Sequence, residues 1–136
     1  MISAPIPAWV ADYLGLPFRE LGRDRDGLDC WGLYRLVRGE RWGEWLDGYD
    51  GCYGTAAGRE EHAGVIRGHI GFAQVVEPGS EIPGDGVFLR TAGVVCHIGM
   101  VVGGGMMLHT RVGLGAAVES YRAGSWARRV EAFRRP

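Results

Sequence analysis

The chain has 136 residues, 46% hydrophobic and 23% charged, the length and composition of one soluble globular domain. Its formal net charge is −1 and its 15 basic residues are scattered arginines, so its charge argues against a nucleic-acid partner. The N-terminal stretch is neither a signal peptide nor a membrane span. We therefore expect a single domain over residues 1–136, without membrane insertion.

The first half of the chain carries helical patterns. A short helix is predicted over Ala8–Leu14, after two prolines, and a second over Asp29–Arg38, where a glycine follows. Residues 16–27 between them are expected to form a loop. A Gly- and Trp-rich segment, Glu40–Thr55, shows no clear period, and a third helix is predicted over residues 57–70.

The second half carries strand patterns. Four short apolar runs, each bounded by glycine or polar turns, are predicted to be strands: "GVFLR" (86–90), "HIGMVVG" (97–103), "MMLHTRV" (106–112) and "RRVEAFR" (128–134). Helices followed by antiparallel strands indicate an α+β domain.

Cys30 lies where a charged, glycine-punctuated loop meets the second predicted helix. Asp29 is expected to cap that helix, which places Cys30 in the first turn, where unpaired N–H groups and the helix dipole favour a thiolate. We therefore predict a nucleophilic cysteine with a lowered pKa. The three cysteines form no disulfide framework, and no Cys/His spacing predicts zinc, so neither a metal nor another cofactor is expected.

A nucleophilic cysteine needs a base, and His97 and His109 flank the turn "GGG". If the turn is centred on Gly104 with an odd number of loop residues, the two histidines share a face of the hairpin as diagonal neighbours. A two-residue turn would place them on opposite faces. The residues alone thus leave two interpretations: a Cys30–His97–His109 triad, or a core thiol with two histidines in local hydrogen bonds.

These motifs together resemble the NlpC family of cell-wall cysteine peptidases, particularly its branch in phage tails and gene-transfer agents. "GRDRDGLDCWGLYRLV" resembles the nucleophile motif, and "HIGMVVGGGMMLHT" resembles the motif in which an orienting histidine follows the base. "GDGVFLR" resembles a core strand, and "SWARRVEAFRR" resembles the end of the phage-type domain. The resemblance implies a compact papain-like fold, with N-terminal helices packed on a C-terminal antiparallel sheet.

The resemblance also implies roles for individual residues. Cys30 matches the nucleophile, His97 the general base, and His109 the residue that holds the base in its tautomer. Phe18 stands where the family often has a tyrosine, whose hydroxyl helps line the oxyanion or substrate site. The implied reaction is hydrolysis of the peptidoglycan stem peptide, commonly between D-glutamate and a diamino acid.

The same resemblance implies where the protein acts and which proteins it binds. The protein would be made in the bacterial cytoplasm without a signal peptide and carried by a phage tail or phage-like particle to the host cell envelope. Tail hub, tip or baseplate proteins would be its partners, with Glu40–Thr55 as the expected docking segment. The alternatives are a tail-tip structural subunit that keeps the peptidase fold with little activity, which Phe18 favours, and a cytoplasmic amidase or acyltransferase.

Other residues have two interpretations each. Asp29 either only caps the helix or also binds substrate, Trp31 either lines the groove or packs in the core, and Arg111 either holds a substrate carboxylate or lies on the surface. Cys96 is expected to be a buried structural thiol on the face opposite His97. Trp42 and Trp45 either contact glycan or a partner protein or are partly buried. Cys52 is expected to be incidental, and His62 and His69 are expected to be solvated surface residues.

Overall fold

The computed structural model describes residues 6–47 and 73–136. Its elements, in chain order, are a 3-10 helix (Ala8–Asp12), β1 (Arg23–Asp24), β2 (Gly27–Leu28), α1 (Cys30–Trp42), β3 (Gln74–Val76), β4 (Gly86–Thr91), β5 (Val94–Gly103), β6 (Met106–His109), β7 (Ala117–Ser120), a second 3-10 helix (Gly124–Arg129) and β8 (Val130–Arg135). Within the described residues, no helix is long and apolar enough to cross a membrane.

Six of the described strands form one sheet, in the order β3-β8-β4-β5-β6-β7, and their pairings are all antiparallel. The long strand β5 lies between β4 and β6, and helix α1 contacts β5 and β6. A helix packed on an antiparallel sheet confirms the predicted α+β class. It also places the start of α1 beside the strands that carry both candidate histidines.

Two apolar clusters hold these layers together, because successive side chains of each strand point to opposite faces of the sheet. One cluster joins α1 to the sheet and includes Trp31, Tyr34, Val37, Phe88, Ile98, Met100 and Leu108. The other covers the opposite face and includes Val87, Leu89, Val101, Met107, Trp126 and Phe133. The alternation in β4 and β5 therefore fixes which face of each strand meets the helix.

Helix α1 begins as predicted and ends later than predicted. The carboxylate of Asp29 accepts a hydrogen bond from the Gly32 amide, so Asp29 is the N-cap. The helix continues through Gly39, against which the Trp45 ring packs where a Cβ would stand. It ends at Gly43, whose φ of 68° is the left-handed conformation of a helix C-cap. Gly39 is thus a packing site, and the predicted end at Arg38 is wrong.

The N-terminal region also differs from the sequence-based expectation. The predicted helix Ala8–Leu14 is a shorter 3-10 helix, and the predicted loop 16–27 contains β1 and the first of the two residues of β2. These strands are two residues long and show no alternation, which is why their sequence carries no strand pattern. Their hairpin lies against the start of α1: a Cβ on Gly32 would come within 2.0 Å of the carbonyl oxygen of Gly22. The hairpin therefore supports the turn that carries Cys30.

The four predicted strands are confirmed, with changed bounds. The third ends at His109, three residues before the predicted end. Strands β3 and β7 and the second 3-10 helix were not predicted, since β3 is largely exposed and β7 is half-buried along its length. The predicted helix 57–70, with His62 and His69, and the part of Glu40–Thr55 from residue 48 onward, with Cys52, lie outside the described residues.

Candidate active site

Cys30 is the first residue of α1 and is 5% exposed. Its thiol lies against the middle of β5, where hydrogen bonds from the backbone of Ile98 and of Trp31 favour its ionised form. His97 directly precedes Ile98 in the chain. The packing of α1 on β5 thus brings the predicted nucleophile to the strand that carries the predicted base.

The predicted lowering of the Cys30 pKa is wrong. Burial raises the pKa of this thiol, the Asp29 carboxylate raises it further, and the hydrogen bonds from the two backbone groups do not offset them. The sequence shows the position at a helix N-terminus but not how deeply the thiol is desolvated. The resting protein therefore holds a neutral thiol, which a base must deprotonate before the sulfur can attack.

The β5–β6 hairpin brings the two histidines together. Met100 pairs with Leu108 and Val101 with Met107, a register that sets Gly99 opposite His109, as predicted. The predicted odd number of loop residues is wrong, because two residues, Gly104 and Gly105, join the strands. The register shifts by one residue between Val101 and Gly103, and this bulge offsets the two-residue turn and keeps both histidines on one face. Nε2 of His97 lies 2.8 Å from Nδ1 of His109, which confirms the predicted proximity.

A second bulge lies next to His97. Leu89 pairs with His97 and Arg90 with Val95, which leaves Cys96 as the extra residue. Cys96 is buried and forms no disulfide, as expected of a structural thiol. The expectation that it points away from His97 assumed regular alternation, which the bulge interrupts. Bulges of this kind re-aim side chains beside active sites, and this one adjoins the predicted base.

Glu119 on β7 contacts the far side of His109 and was missed by the sequence analysis. Its Oε2 lies 2.5 Å from Nε2 of His109 and accepts a hydrogen bond of 3.3 Å from Nε1 of Trp126. Glu119 pairs with Met107, so it is a diagonal neighbour of His109 on the same face. Recognising "AVES" as the strand next to β6 would have identified it.

Trp126 covers both imidazoles and was also missed. Its ring stacks on His97 at a centroid distance of 5.1 Å and an interplanar angle of 14°. It meets the edge of His109 at 5.4 Å and 90°. The second 3-10 helix places this side chain, which is 8% exposed, over the pair. The two histidines are therefore shielded from water on this side and restricted in orientation.

Burial and charge set the protonation of this group. Burial lowers the pKa of His109, and the Glu119 carboxylate only partly offsets that effect. Burial also acts against ionisation of Glu119, but the hydrogen bonds from His109 and Trp126 keep its pKa below the usual range. Near neutral pH, the arrangement is therefore a neutral His109 next to an ionised Glu119.

The residues predicted to bind substrate lie in different environments. Asp29 is 3% exposed, caps α1 and receives a 2.7 Å hydrogen bond from Arg23, so the capping interpretation is confirmed; a substrate contact stays a prediction. Trp31 is 0% exposed and its Nε1 donates to the Asp47 carbonyl. A fully buried ring offers no surface to a substrate, so the assignment of Trp31 as substrate-binding is corrected to a core residue.

Phe18 and Arg111 stay candidates. Phe18 is half-buried and forms a bridge with Leu28, two residues before Cys30. Arg111 is exposed, and its Nε lies 3.9 Å from the Glu119 carboxylate. Among residues 6–47 and 73–136, no group of three or more His, Cys, Asp or Glu side chains is arranged to hold a metal ion.

Trp42 is the last residue of α1 and Trp45 follows the helix; their side chains are 39% and 53% exposed. The Arg38 guanidinium lies over the Trp42 ring and that of Arg35 over the Trp45 ring. Both rings are packed on one side and accessible on the other, so a contact with glycan or a partner protein stays a prediction.

Comparisons with known proteins agree with this architecture. No curated protein sequence matches the chain. The crystal structure of the NlpC/p60 domain of the peptidoglycan hydrolase SagA matches 95% of this chain and 93% of its own, with a TM-score of 0.65 and 22% identity. NlpC1 from Trichomonas vaginalis matches 93% of this chain at a TM-score of 0.68 and 23% identity. An NlpC/P60 family protein from Bacillus cereus matches 96% at a TM-score of 0.65 and 20% identity.

These matches show the fold of the chain and how much of each matched protein it spans. The chain spans 41% of the Trichomonas vaginalis and Bacillus cereus chains and nearly all of the SagA domain. The expected papain-like fold of NlpC type is confirmed. The sequence model of the NlpC/P60 family matches residues 15–135, which include Cys30 and both histidines, and the chain therefore belongs to the NlpC/P60 family.

Proposed function

We propose that the protein is a cysteine endopeptidase that hydrolyses peptidoglycan stem peptides. The observation that carries this proposal is the hydrogen-bonded pair His97–His109 on the strands packed against the helix that begins with Cys30. Membership of the NlpC/P60 family supports it, as does the similarity to the domain of the peptidoglycan hydrolase SagA.

The proposed reaction begins with proton transfer from the Cys30 thiol to His97. Because Nε2 of His97 contacts His109, the nitrogen that accepts this proton is Nδ1. The sulfur attacks the amide carbonyl carbon, and the backbone N–H of Cys30, at the positive end of α1, stabilises the oxyanion. The protonated His97 then gives its proton to the leaving amine, and water hydrolyses the thioester to release the acid and regenerate the thiol.

The raised pKa of Cys30 determines what the base must do. Burial raises the pKa of the thiol and holds it neutral in the resting protein, so its proton must pass to His97 for the sulfur to attack. His97 must therefore present an unprotonated nitrogen to the thiol. The contacts that orient His97 are for this reason part of the proposed mechanism.

We further propose that a phage tail or phage-like particle, such as a gene-transfer agent, carries the protein to the host wall. The resemblance of "GRDRDGLDCWGLYRLV" and "SWARRVEAFRR" to the phage-type domain supports this setting. Tail hub, tip or baseplate proteins would then be its partners. Co-sedimentation with tail-like particles tests the proposal, and recovery of the protein only from the particle-free fraction would contradict it.

A second candidate function is a tail-tip subunit that keeps the peptidase fold with little activity. Phe18 favours this candidate, because a phenylalanine ring has no hydroxyl to offer at the position where the family often has one.

Digestion of purified sacculi distinguishes the two candidates. The wild type should release muropeptides with newly exposed amines, Cys30→Ala should release none, and Cys96→Ala, which removes the neighbouring buried thiol, should act like the wild type. A wild-type protein that leaves sacculi of several stem-peptide chemistries intact would favour the structural subunit. Activity that survives in Cys30→Ala would exclude the proposed nucleophile.

A further inference from the structure

The hydrogen-bonded pair of histidines continues to a third side chain. Nε2 of His97 contacts Nδ1 of His109 at 2.8 Å, and Nε2 of His109 contacts Oε2 of Glu119 at 2.5 Å. The His109 side chain has no exposed surface, so both of its ring nitrogens are directed at protein partners. The three side chains lie on β5, β6 and β7, in an unbroken series across the sheet.

We propose that Glu119 is a positioning residue that fixes the tautomers of both histidines and leaves Nδ1 of His97 as the proton acceptor for Cys30. This inference rests on the proposed peptidase function.

The tautomers follow from the donors and acceptors. An ionised carboxylate only accepts hydrogen bonds, so the proton between Glu119 and His109 lies on Nε2 of His109. A neutral imidazole has one donor and one acceptor, so Nδ1 of His109 accepts a hydrogen bond from Nε2 of His97. The remaining nitrogen of His97, Nδ1, then carries the lone pair that takes the proton of Cys30.

Glu119 is held in place from other directions as well. Trp126 donates its indole N–H to the same carboxylate oxygen that receives His109, and Nε of Arg111 lies 3.9 Å away. Both groups favour the ionised carboxylate, the form that can only accept. Since Trp126 also stacks on His97, one side chain orients the first and the last member of the series. A surface ion pair would have no such effect on the base.

Glu119 differs in these contacts from Glu131 on β8, the other carboxylate on the described strands of this sheet. Glu131 is exposed and pairs with Arg90, which is also partly exposed. Removing the charge of Glu131 takes away one carboxylate from the same sheet without touching either histidine. Glu131→Gln is thus the matched control for Glu119→Gln.

The test measures ring protonation directly. Long-range ¹H–¹⁵N correlation spectra of histidine-labelled protein distinguish protonated from unprotonated ring nitrogens. The wild type and Glu131→Gln should show both His97 and His109 protonated at Nε2. Glu119→Ala, which removes the acceptor, should show mixed tautomers at His109 and at His97. Glu119→Gln, whose amide can accept or donate, should show a smaller change in the same direction.

Kinetics on a stem peptide supply the second measurement. Glu119→Ala should lower kcat about tenfold to a hundredfold with little change in KM, because a carboxylate that orients a catalytic imidazole acts on the reaction step. Unchanged tautomers in both Glu119 variants would overturn the inference, even if activity fell. Should the wild type leave every stem peptide intact, the proposed function fails, while the spectra still decide whether Glu119 fixes the tautomers.

Discussion

His97 and His109 are twelve residues apart in the chain, yet their rings meet through Nε2 and Nδ1 at 2.8 Å. Two irregularities of β5, the bulges at Cys96 and near Val102, adjoin this contact. The bulge near Val102 offsets the short turn and puts both histidines on one face, and the bulge at Cys96 adjoins His97. The contact thus depends on departures from regular pairing on both sides of His97.

Replacement of the two histidines should have unequal effects. His97→Ala removes the proton acceptor and should reduce activity on sacculi about as much as Cys30→Ala, because nucleophile and base act as a unit. His109→Gln keeps a carbonyl oxygen that can accept from Nε2 of His97 and should retain measurable activity. Rates of muropeptide release from the purified variants check this prediction. Near-normal turnover by His97→Ala would show that the base is another residue.

The sequence predicted the elements of the site better than their environment. The cap at Asp29, the start of α1 at Cys30 and the register of the β5–β6 hairpin follow from local patterns, namely a capping residue, an apolar period and a glycine turn. Glu119 and Trp126 could not be recognised in this way. Their contacts with the histidines exist only once β7 pairs with β6 and the second 3-10 helix folds over the sheet.

The pKa of the Cys30 thiol is a second property that the sequence did not predict. A helix N-terminus lowers a cysteine pKa, and the sequence "DCWGL" does predict that Cys30 lies at a helix N-terminus. Desolvation raises the pKa and is the larger effect here, but it depends on the depth at which the Cys30 thiol lies between α1 and β5. The role of Gly39 could not be predicted from local sequence either, because the packing of Trp45 against it depends on the path of the chain after the helix.

Alkylation of Cys30 should depend on pH and on His97. Burial raises the pKa of the thiol, so the thiolate is scarce at pH 6 and the rate of iodoacetamide labelling should increase as the pH rises. His97→Ala should slow the labelling of Cys30, since it removes the group that accepts the thiol proton. Peptide mapping by mass spectrometry, with Cys96→Ala as the control, measures these rates. Rapid labelling at pH 6 that does not increase further would indicate a preformed thiolate and contradict this account.

Acid should reduce both activity and stability through His109. Burial lowers the pKa of His109 against the opposing effect of Glu119, and within residues 6–47 and 73–136 the ring also faces His97, Arg111 and Trp126. A group with a lowered pKa in the folded state contributes stability that is complete above its unfolded pKa, about 6.5 for histidine. That stability is lost as the pH falls through the folded pKa.

The measurement is thermal unfolding between about pH 7.5 and pH 5, a window that lies on both sides of the unfolded histidine pKa. Tm of the wild type should fall with pH more steeply than Tm of His109→Gln, which lacks the titrating ring. Protonation of His109 at Nδ1 would also present a donor to Nε2 of His97, so peptidase activity should fall over the same range. Parallel Tm profiles of the two proteins would exclude His109 as the group responsible.

Phe18 provides the last prediction, because it lies next to the strand that leads into Cys30. Its backbone bridges Leu28, and its half-buried ring has no hydrogen-bond donor. If that ring borders the substrate, Phe18→Tyr adds one hydroxyl to an otherwise unchanged side chain. One oxyanion donor is typically worth about 10²–10³ in turnover, and a hydroxyl in a site not shaped around it should give less, roughly tenfold. Phe18→Leu, which removes the ring, should instead raise KM. Acylation rates on a stem peptide check both variants, and an unchanged rate for Phe18→Tyr would show that the ring does not reach the reacting carbonyl.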